Sequence, residues 1–398
     1  MKPYTIFVFS FLYINCFGQQ YSKSWKDLNY AGDTKVYNIL DIYLPAVRKP
    51  AYPAVIEIYG SAWFSDNSKG VDLPSLGKAL LDAGFAVIMP NHRSSGDAKF
   101  PAQIQDIKAV VRFVRANAEK YQIDTSFIGI TGYSSGGHLA ALAGTSGGVK
   151  RYTVDSVTEY IEGDVGQYLS YNSSVDAVVD WFGPTDFLVM NSCGSQLDHN
   201  AANSPESSLI GGPIQQNKDK CELANPVTYI DSSDPPFLII HGDADPLVPP
   251  CESEMLFNAL QKAKVPSQFI LVPGGQHGPG VLTDKYFKMM TDFFLNQLKI
   301  TREESGEEKN PIKFSLSRNY SDSLNSITTI TFTLPMELFV RLTVFDLLGR
   351  QEALLVSENM LPGTRSRQWN AKGLSSGTYF FRLEAGPYIQ TKKLAILK

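Results

Sequence analysis

Ser134 stands in the run Gly132-Tyr133-Ser134-Ser135-Gly136, between a short apolar stretch, Phe127 to Thr131, and a helix-forming series, His138 to Leu142. A Gly-x-Ser-x-Gly between a strand and a helix is the layout that lifts a serine oxygen clear of a sheet, and the flanking glycines let two backbones pass close to the strained turn. A serine hydroxyl at neutral pH is a poor nucleophile. It needs a base to take its proton, an acid to orient that base, and preset N–H donors for the oxyanion that its attack creates. Of the five histidines, His277 lies in the glycine-rich run Pro273-Gly274-Gly275-Gln276-His277-Gly278 and is the expected base. Asp245 in His241-Gly242-Asp243-Ala244-Asp245 is the expected acid, with Asp243 as the alternative, whose other role is turn capping. His138 falls one turn after Ser134 and points into helix packing, His241 ends an apolar run as a structural histidine does, and His92 and His199 have no partner that spacing supplies. The oxyanion donors are expected from the Ser135 N–H and from Gly60-Ser61-Ala62, Ser61 above all. Tyr59, Trp63, Tyr133 and Trp181 flank these positions as candidate substrate-binding walls, the alternative for each being plain packing.

The elements that must position these groups follow from periodicity. Thr34 to Tyr43 alternates as a half-exposed strand in an edge hairpin, and Pro53 to Tyr59 is apolar enough for a buried parallel strand. Leu76 to Ala83 predicts a helix closed by Gly84, and Phe85 to Met89 a second buried strand. Pro101 to Ala118 carries a helical stripe at Ile104, Ile107, Val110, Val111 and Val114, with Asp106, Lys108, Arg112 and Arg115 off it. Ser174 to Phe182, Pro236 to Ile240 and Gln268 to Val272 read as strands, and Ser253 to Ala263 and Asp284 to Leu298 as helices. Strand and helix in alternation mean a mostly parallel, doubly wound α/β sheet, whose site lies at the carboxyl ends of its strands. Residues 191–225, rich in Asn, Ser, Gly, Gln and Pro, form an excursion over that sheet.

After the charged run Thr301 to Pro311 the pattern changes to period two: Ile327 to Leu334, Leu338 to Phe345, Gly377 to Leu383 and Ile389 to Leu397 alternate between turn signals. This predicts a small C-terminal antiparallel β-sandwich. The expected organisation is a signal peptide over 1–18, a catalytic domain over 19–300, a linker over 301–312 and the sandwich over 313–398. Met1-Lys2-Pro3 and the apolar run Tyr4 to Phe17 form the signal peptide, with cleavage before Gln19; the run is shorter than the roughly 20 apolar residues a spanning helix requires.

The 398 residues are 43% hydrophobic and 19% charged with a net charge of -4, a globular composition with no basic footprint for nucleic acid. No Cys-x-x-Cys or His-Glu-x-x-His spacing supplies a metal ligand set. Export leaves Cys193, Cys221 and Cys251, an odd number in an oxidising compartment. Cys193 and Cys221 bracket the excursion and are the expected disulfide, with Cys251 as the free thiol.

Residues from about 30 to 298 resemble the α/β-hydrolase superfamily, most closely its acetyl-xylan and feruloyl esterase branch, often called BD-FAE-like, near the hormone-sensitive-lipase-like carboxylesterases. The matching motifs are Gly132 to Gly136, the Arg93 loop with Phe100-Pro101-Ala102-Gln103, Ser204-Pro205-Glu206-Ser207 with Ile210-Gly211-Gly212, Asn225-Pro226, Asp234 to Pro249, and His277. One departure stands out: the branch usually carries His-Gly-Gly-Gly-Trp where this chain has Tyr59-Gly60-Ser61-Ala62-Trp63. Residues from about 313 to 398 resemble the type IX (Por) secretion C-terminal sorting domain, through Val344 to Arg350 and Leu374 to Phe380. The resemblance implies a secreted or surface-held serine ester hydrolase that needs no cofactor, acts on acetyl or feruloyl esters of plant polysaccharide, and is handed to the type IX machinery. A serine exopeptidase on the same fold and a non-catalytic glycan-binding surface protein are the alternatives.

Overall fold

The computed structural model describes residues 21–304, 314–316, 327–334, 337–361, 363–386 and 388–396. The expected signal peptide and most of the expected linker lie outside them. The chain divides into two compact units between Thr301 and Arg302.

In the first unit an antiparallel hairpin, β1 (Tyr21–Asn29) and β2 (Ile39–Pro45), borders the sheet. There follow β3 (Tyr52–Ile58), α1 (Lys78–Ala83), β4 (Ala86–Pro90), α2 (Ala102–Ala116), α3 (Ala118–Tyr121), β5 (Ile123–Tyr133) and α4 (Ser135–Thr145). A short hairpin, β6 (Tyr152–Val154) and β7 (Val157–Glu159), precedes β8 (Ala177–Trp181). The excursion holds two short helices, α5 (Pro205–Ile210) and α6 (Lys218–Ala224), before β9 (Phe237–Gly242), α7 (Cys251–Lys262), β10 (Ser267–Val272) and α8 (Asp284–Glu304). The last helix extends past Leu298 into the run expected to be linker.

The eight strands lie in the order β1-β2-β4-β3-β5-β8-β9-β10, and the six from β4 to β10 are parallel. Every residue of β3, β4, β8 and β9 is buried, as strands covered on both faces must be. The order turns at β3: the chain steps to β4 on one side and returns to β5 on the other. The loop after β3 and the turn after β5 therefore leave the sheet side by side, Ile58 being paired with Gly132. That is the switch point at which parallel sheets open a crevice.

The alternation of β5 sets the two layers. Ile128 and Ile130 face the cluster that includes Ile104, Val110 and Leu139 of α2 and α4. On the other face Phe127 meets Phe294 of α8, and a Cβ on Gly129 would fall 2.7 Å from the Phe294 ring. Three charged residues of α2 expected off the apolar stripe are buried. Asp106 is held by the Arg93 guanidinium (2.6 Å), and Lys108 and Arg112 share Glu162 in the loop before β8. Periodicity cannot anticipate this, because the partners come from loops far along the chain.

The second unit pairs a three-stranded sheet of β11 (Ser315–Leu316), β12 (Ile327–Leu334) and β15 (Gly363–Asn370) with a four-stranded one of β14 (Gln351–Met360), β13 (Leu338–Phe345), β16 (Gly377–Ala385) and β17 (Tyr388–Ile396), all antiparallel. Inward residues of both sheets, among them Ile330, Phe332, Val340, Leu342, Phe381 and Leu383, share one core. Trp369 is part of that core, so it offers no platform for a glycan.

The crossing of the β3 loop and the β5 turn leaves no room for a side chain. A Cβ on Gly136 would lie 2.2 Å from the Ile58 carbonyl oxygen and 2.6 Å from that of Tyr59, both rigid backbone. Gly136→Ala should therefore destabilise the first unit by about 1–3 kcal/mol or more, read as a lowered urea midpoint. An unchanged midpoint would show that the two segments do not touch in solution.

Candidate active site

Ser134 caps α4 at φ 56°, ψ −124°, a conformation L residues hold at a cost of order 1–3 kcal/mol. Its Oγ lies 2.9 Å from His277 Nε2, and His277 Nδ1 lies 2.7 Å from Asp245 Oδ2. The three groups come from the carboxyl ends of β5, β9 and β10. The loops after β9 and β10 are stitched together by Asp243 N–H to Val272 O, Ala244 N–H to Gly275 O, and Gly274 N–H to the Asp243 carboxylate. Asp243 thus caps the neighbouring loop, while Asp245 reaches the histidine.

Asp245 Oδ1 accepts the Leu247 and Val248 N–H groups, so Oδ2 is left for His277. His241, buried beneath, donates through Nε2 to the Val248 carbonyl at 2.8 Å, stands 3.4 Å from Asp245 Oδ2, and takes the Ser253 hydroxyl on Nδ1. Burial works against ionisation of Asp245, but the close approach of His241 and the hydrogen bond from His277 outweigh it and hold the carboxyl well below the usual carboxylate range. A fixed carboxylate facing Nδ1–H leaves Nε2 free to accept the serine proton.

The loop opposite the serine differs from the expectation. Ser61 N–H, expected to face the substrate oxygen, donates instead to Ser135 Oγ at 2.8 Å. Ala62 and Trp63 adopt left-handed φ of 52° and 58° despite their Cβ atoms. Ser135 opens α4, so its own N–H has no partner within the helix.

Three of the four expected wall aromatics are packing residues. Trp63 is buried against His138 and Phe187, Trp181 is buried with its indole N–H on Thr131 Oγ1 and its ring against Phe287, and Tyr59 is buried against His92 with its hydroxyl on the Ser65 carbonyl. Each ring fills the core that its strand end or loop passes through, which leaves no surface for a substrate. Tyr133 alone stays partly exposed, its ring against Gly60, and burial together with the nearby Asp72 carboxyl raises its hydroxyl above the usual phenol range. Phe182, which no motif singled out, lies edge-on to the His277 ring at 4.8 Å with φ 43°. Its only sequence signal is its place at the end of β8, next to the serine strand. The remaining histidines are structural: His138 Nε2 meets the Ala224 carbonyl, His92 Nδ1 the Arg93 carbonyl, and His199 pairs with Glu206. Among the described residues the metal-type grouping consists of Cys193, Cys251 and Glu252, and its two cysteines are bonded to each other.

A family model for BD-FAE matches residues 40–260, more than half of the chain. The chain belongs to the BD-FAE family. Its sheet, with the serine on a strand-to-helix turn at the carboxyl edge, is an α/β-hydrolase fold. A solved structure described as a truncated form of a carbohydrate esterase from gut microbiota is 54% identical, with a TM-score of 0.68 over 70% of this chain and 98% of that one. A bifunctional GH43-CE of Bacteroides eggerthii is also 54% identical, with a TM-score of 0.67 over 69% of this chain and 35% of that one. Esterase LipQ of Mycobacterium tuberculosis (strain ATCC 25618 / H37Rv) is 28% identical over 62% of this chain and 54% of its own length. The chain spans about half the length of the curated relatives it matches first. Residues 324–397 match the Secretion system C-terminal sorting domain. Among the described residues no helix is long and apolar enough to cross a membrane.

On this BD-FAE frame the excursion is tied to the acid loop. The expected Cys193–Cys221 pair is not formed: Cys193 is bonded to Cys251, their Cα atoms 6.4 Å apart, and Cys221 is a buried free thiol directed at the Ile214 carbonyl. The reason is topological, since Cys251 opens α7 directly after the Asp245 loop, where the first limb of the excursion returns. Gln196 N–H donates to the Pro246 carbonyl, and Ser195 Oγ and His199 Nε2 both meet the Leu247 carbonyl.

Beside the disulfide, Glu252 Oε2 accepts the N–H groups of Thr185 and Asp186 while Oε1 has no partner among the described residues. Burial pushes its carboxyl up to about 8, against the backbone donors that pull it down, with Asp186 raising and His199 lowering it further. The folded chain then keeps a proton, on Oε1, that the unfolded chain releases above its ordinary carboxyl value. Stability from this group is fully present below that value and declines as pH rises toward 8. Glu252→Gln, which keeps the acceptor and cannot ionise, should raise the melting temperature more at pH 8 than at pH 5; an equal shift at both would refute the protonated carboxyl.

Proposed function

We propose that this protein is a secreted serine carboxylic-ester hydrolase that removes acetyl or feruloyl groups from plant polysaccharide. The observation that carries the reading is the unbroken hydrogen-bond line from Asp245 through His277 to Ser134. His277 Nε2 takes the hydroxyl proton as Ser134 Oγ attacks the ester carbonyl, and Asp245 holds the imidazole and stabilises its charged form. The tetrahedral oxyanion is stabilised at the head of α4, where the Ser135 N–H has no helical partner. The alcohol departs with the proton from His277, leaving an acyl-enzyme. Water then gives its proton to His277 and attacks the acyl carbon, and the collapse of that second intermediate returns the proton to Ser134. Every step uses protein groups and water alone.

Membership of the BD-FAE family and the 54% identity to a protein described as a carbohydrate esterase support the reaction and the substrate class. The match of the tail to a sorting-domain model supports export through the type IX machinery, after a signal peptide over 1–18. In this reading 19–300 is catalytic, 301–312 a linker and 313–398 the sorting domain.

Ser134→Ala should lower p-nitrophenyl acetate turnover by at least ~10⁴-fold without unfolding the chain. In Asp245→Asn the amide oxygen would stay on the Leu247 and Val248 N–H groups and turn NH₂ toward Nδ1, imposing the tautomer that cannot take the serine proton; a loss of about 10²–10⁴-fold is expected. Release of acetate from acetylated xylan and of ferulate from methyl ferulate, measured in parallel, decides the acyl group. Substantial turnover by Ser134→Ala would move the nucleophile elsewhere.

A further inference from the structure

The residue after the serine carries a hydroxyl that a backbone role at this position does not require. Ser135 Oγ is buried beneath the Ser61 loop and accepts the Ser61 N–H at 2.8 Å. Among the described residues no acceptor takes the proton of that hydroxyl. The Ser135 N–H, the first of α4, is equally free of a helical partner. Two donors of one residue, its N–H and its O–H, thus stand unclaimed at the head of a helix, beside the serine that the proposed reaction uses.

The geometry points to the Ser135 hydroxyl as an oxyanion donor in its own right, relaying the Ser61 N–H to the substrate oxygen in the chain Ser61 N–H to Ser135 Oγ–H to O⁻. The inference rests on the ester-hydrolase reading and concerns how that site holds its charge. An oxygen held by the Ser135 N–H lies within reach of the side chain on the same Cα. A hydroxyl that already accepts a hydrogen bond is polarised and donates more strongly. The relay also accounts for the altered loop. With Ser61 N–H turned to the hydroxyl, the segment from Tyr59 to Trp63 need not present its own amides directly, and it tolerates Ser61 and Ala62 where the family pattern has glycine.

The test is Ser135→Ala, which removes the O–H and keeps the N–H. The freed Ser61 N–H takes over part of the charge, so kcat for p-nitrophenyl acetate should fall about 10-fold, short of the ~10² or more that a lost oxyanion donor costs when nothing replaces it. KM should hold. The affinity of an aryl trifluoromethyl ketone, whose adduct with Ser134 carries the same oxyanion, should weaken by the same factor as kcat. Unchanged or increased kcat would overturn the relay. So would a rise in KM with unchanged inhibitor affinity, which marks a latch that only positions the loop. The wild-type chain and Ser134→Ala, run alongside, separate the two readings. If wild type turns over ester, Ser134→Ala is dead and Ser135→Ala is unaffected, the relay alone falls; if wild type turns over no ester, the hydrolase reading falls and takes the relay with it.

Discussion

The site depends on one close approach of backbone to backbone. The Ile58 carbonyl at the end of β3 lies against Gly132 and Gly136 on either side of Ser134, so near that a Cβ on either glycine would overlap main-chain atoms. This contact requires β3 and β5 to be paired neighbours, which the switch in strand order brings about. It also brings the Ser61 amide to the head of α4 and holds Ser134 at a left-handed φ. Packing around the turn sustains a torsion that the serine would not keep in isolation.

On the other side of the serine the same economy is built from loops. The segment from Asp243 to Cys251 sends one carboxylate to cap the His277 loop, a second to orient the imidazole, a carbonyl at Leu247 to receive Ser195 and His199, and a cysteine to bind the excursion. A loop fixed at so many points keeps Asp245 in one place, and a carboxylate held by two backbone N–H groups has one oxygen left with one direction to act. Beneath it His241 extends the hydrogen-bond network into the core. Orientation of the His277 ring is therefore a property of the whole β9–α7 connection.

Buried charge serves the scaffold as well. Arg93 with Asp106, and Lys108 and Arg112 with Glu162, anchor α2 to the loop after β4 and to the loop before β8. Removing one member of such a group leaves a desolvated partner, so these pairs specify where the loops lie more than they add net stability. Glu252 differs: it has two backbone donors, no ion pair is formed with it among the described residues, and burial holds it as a neutral acid.

Much of this was legible in the chain itself. Alternation of apolar strands with helical stripes, glycine and proline at their ends, and the order of Ser134, Asp245 and His277 determine the α/β sheet and its candidate catalytic set, because these depend on local periodicity and on which strand ends a residue follows. The period-two tail is legible for the same reason, although β14 and β15, richer in charged and polar residues, escaped it. Only the tertiary structure decided what depends on contacts between distant segments. It paired Cys193 with Cys251, turned the Ser61 amide onto Ser135, placed Trp63, Trp181 and Tyr59 in the core, and buried the charges of α2. Spacing along a chain shows which residues can reach the carboxyl edge of a sheet; it does not show which groups meet there, because the partner of each is chosen by loops whose course no local period encodes.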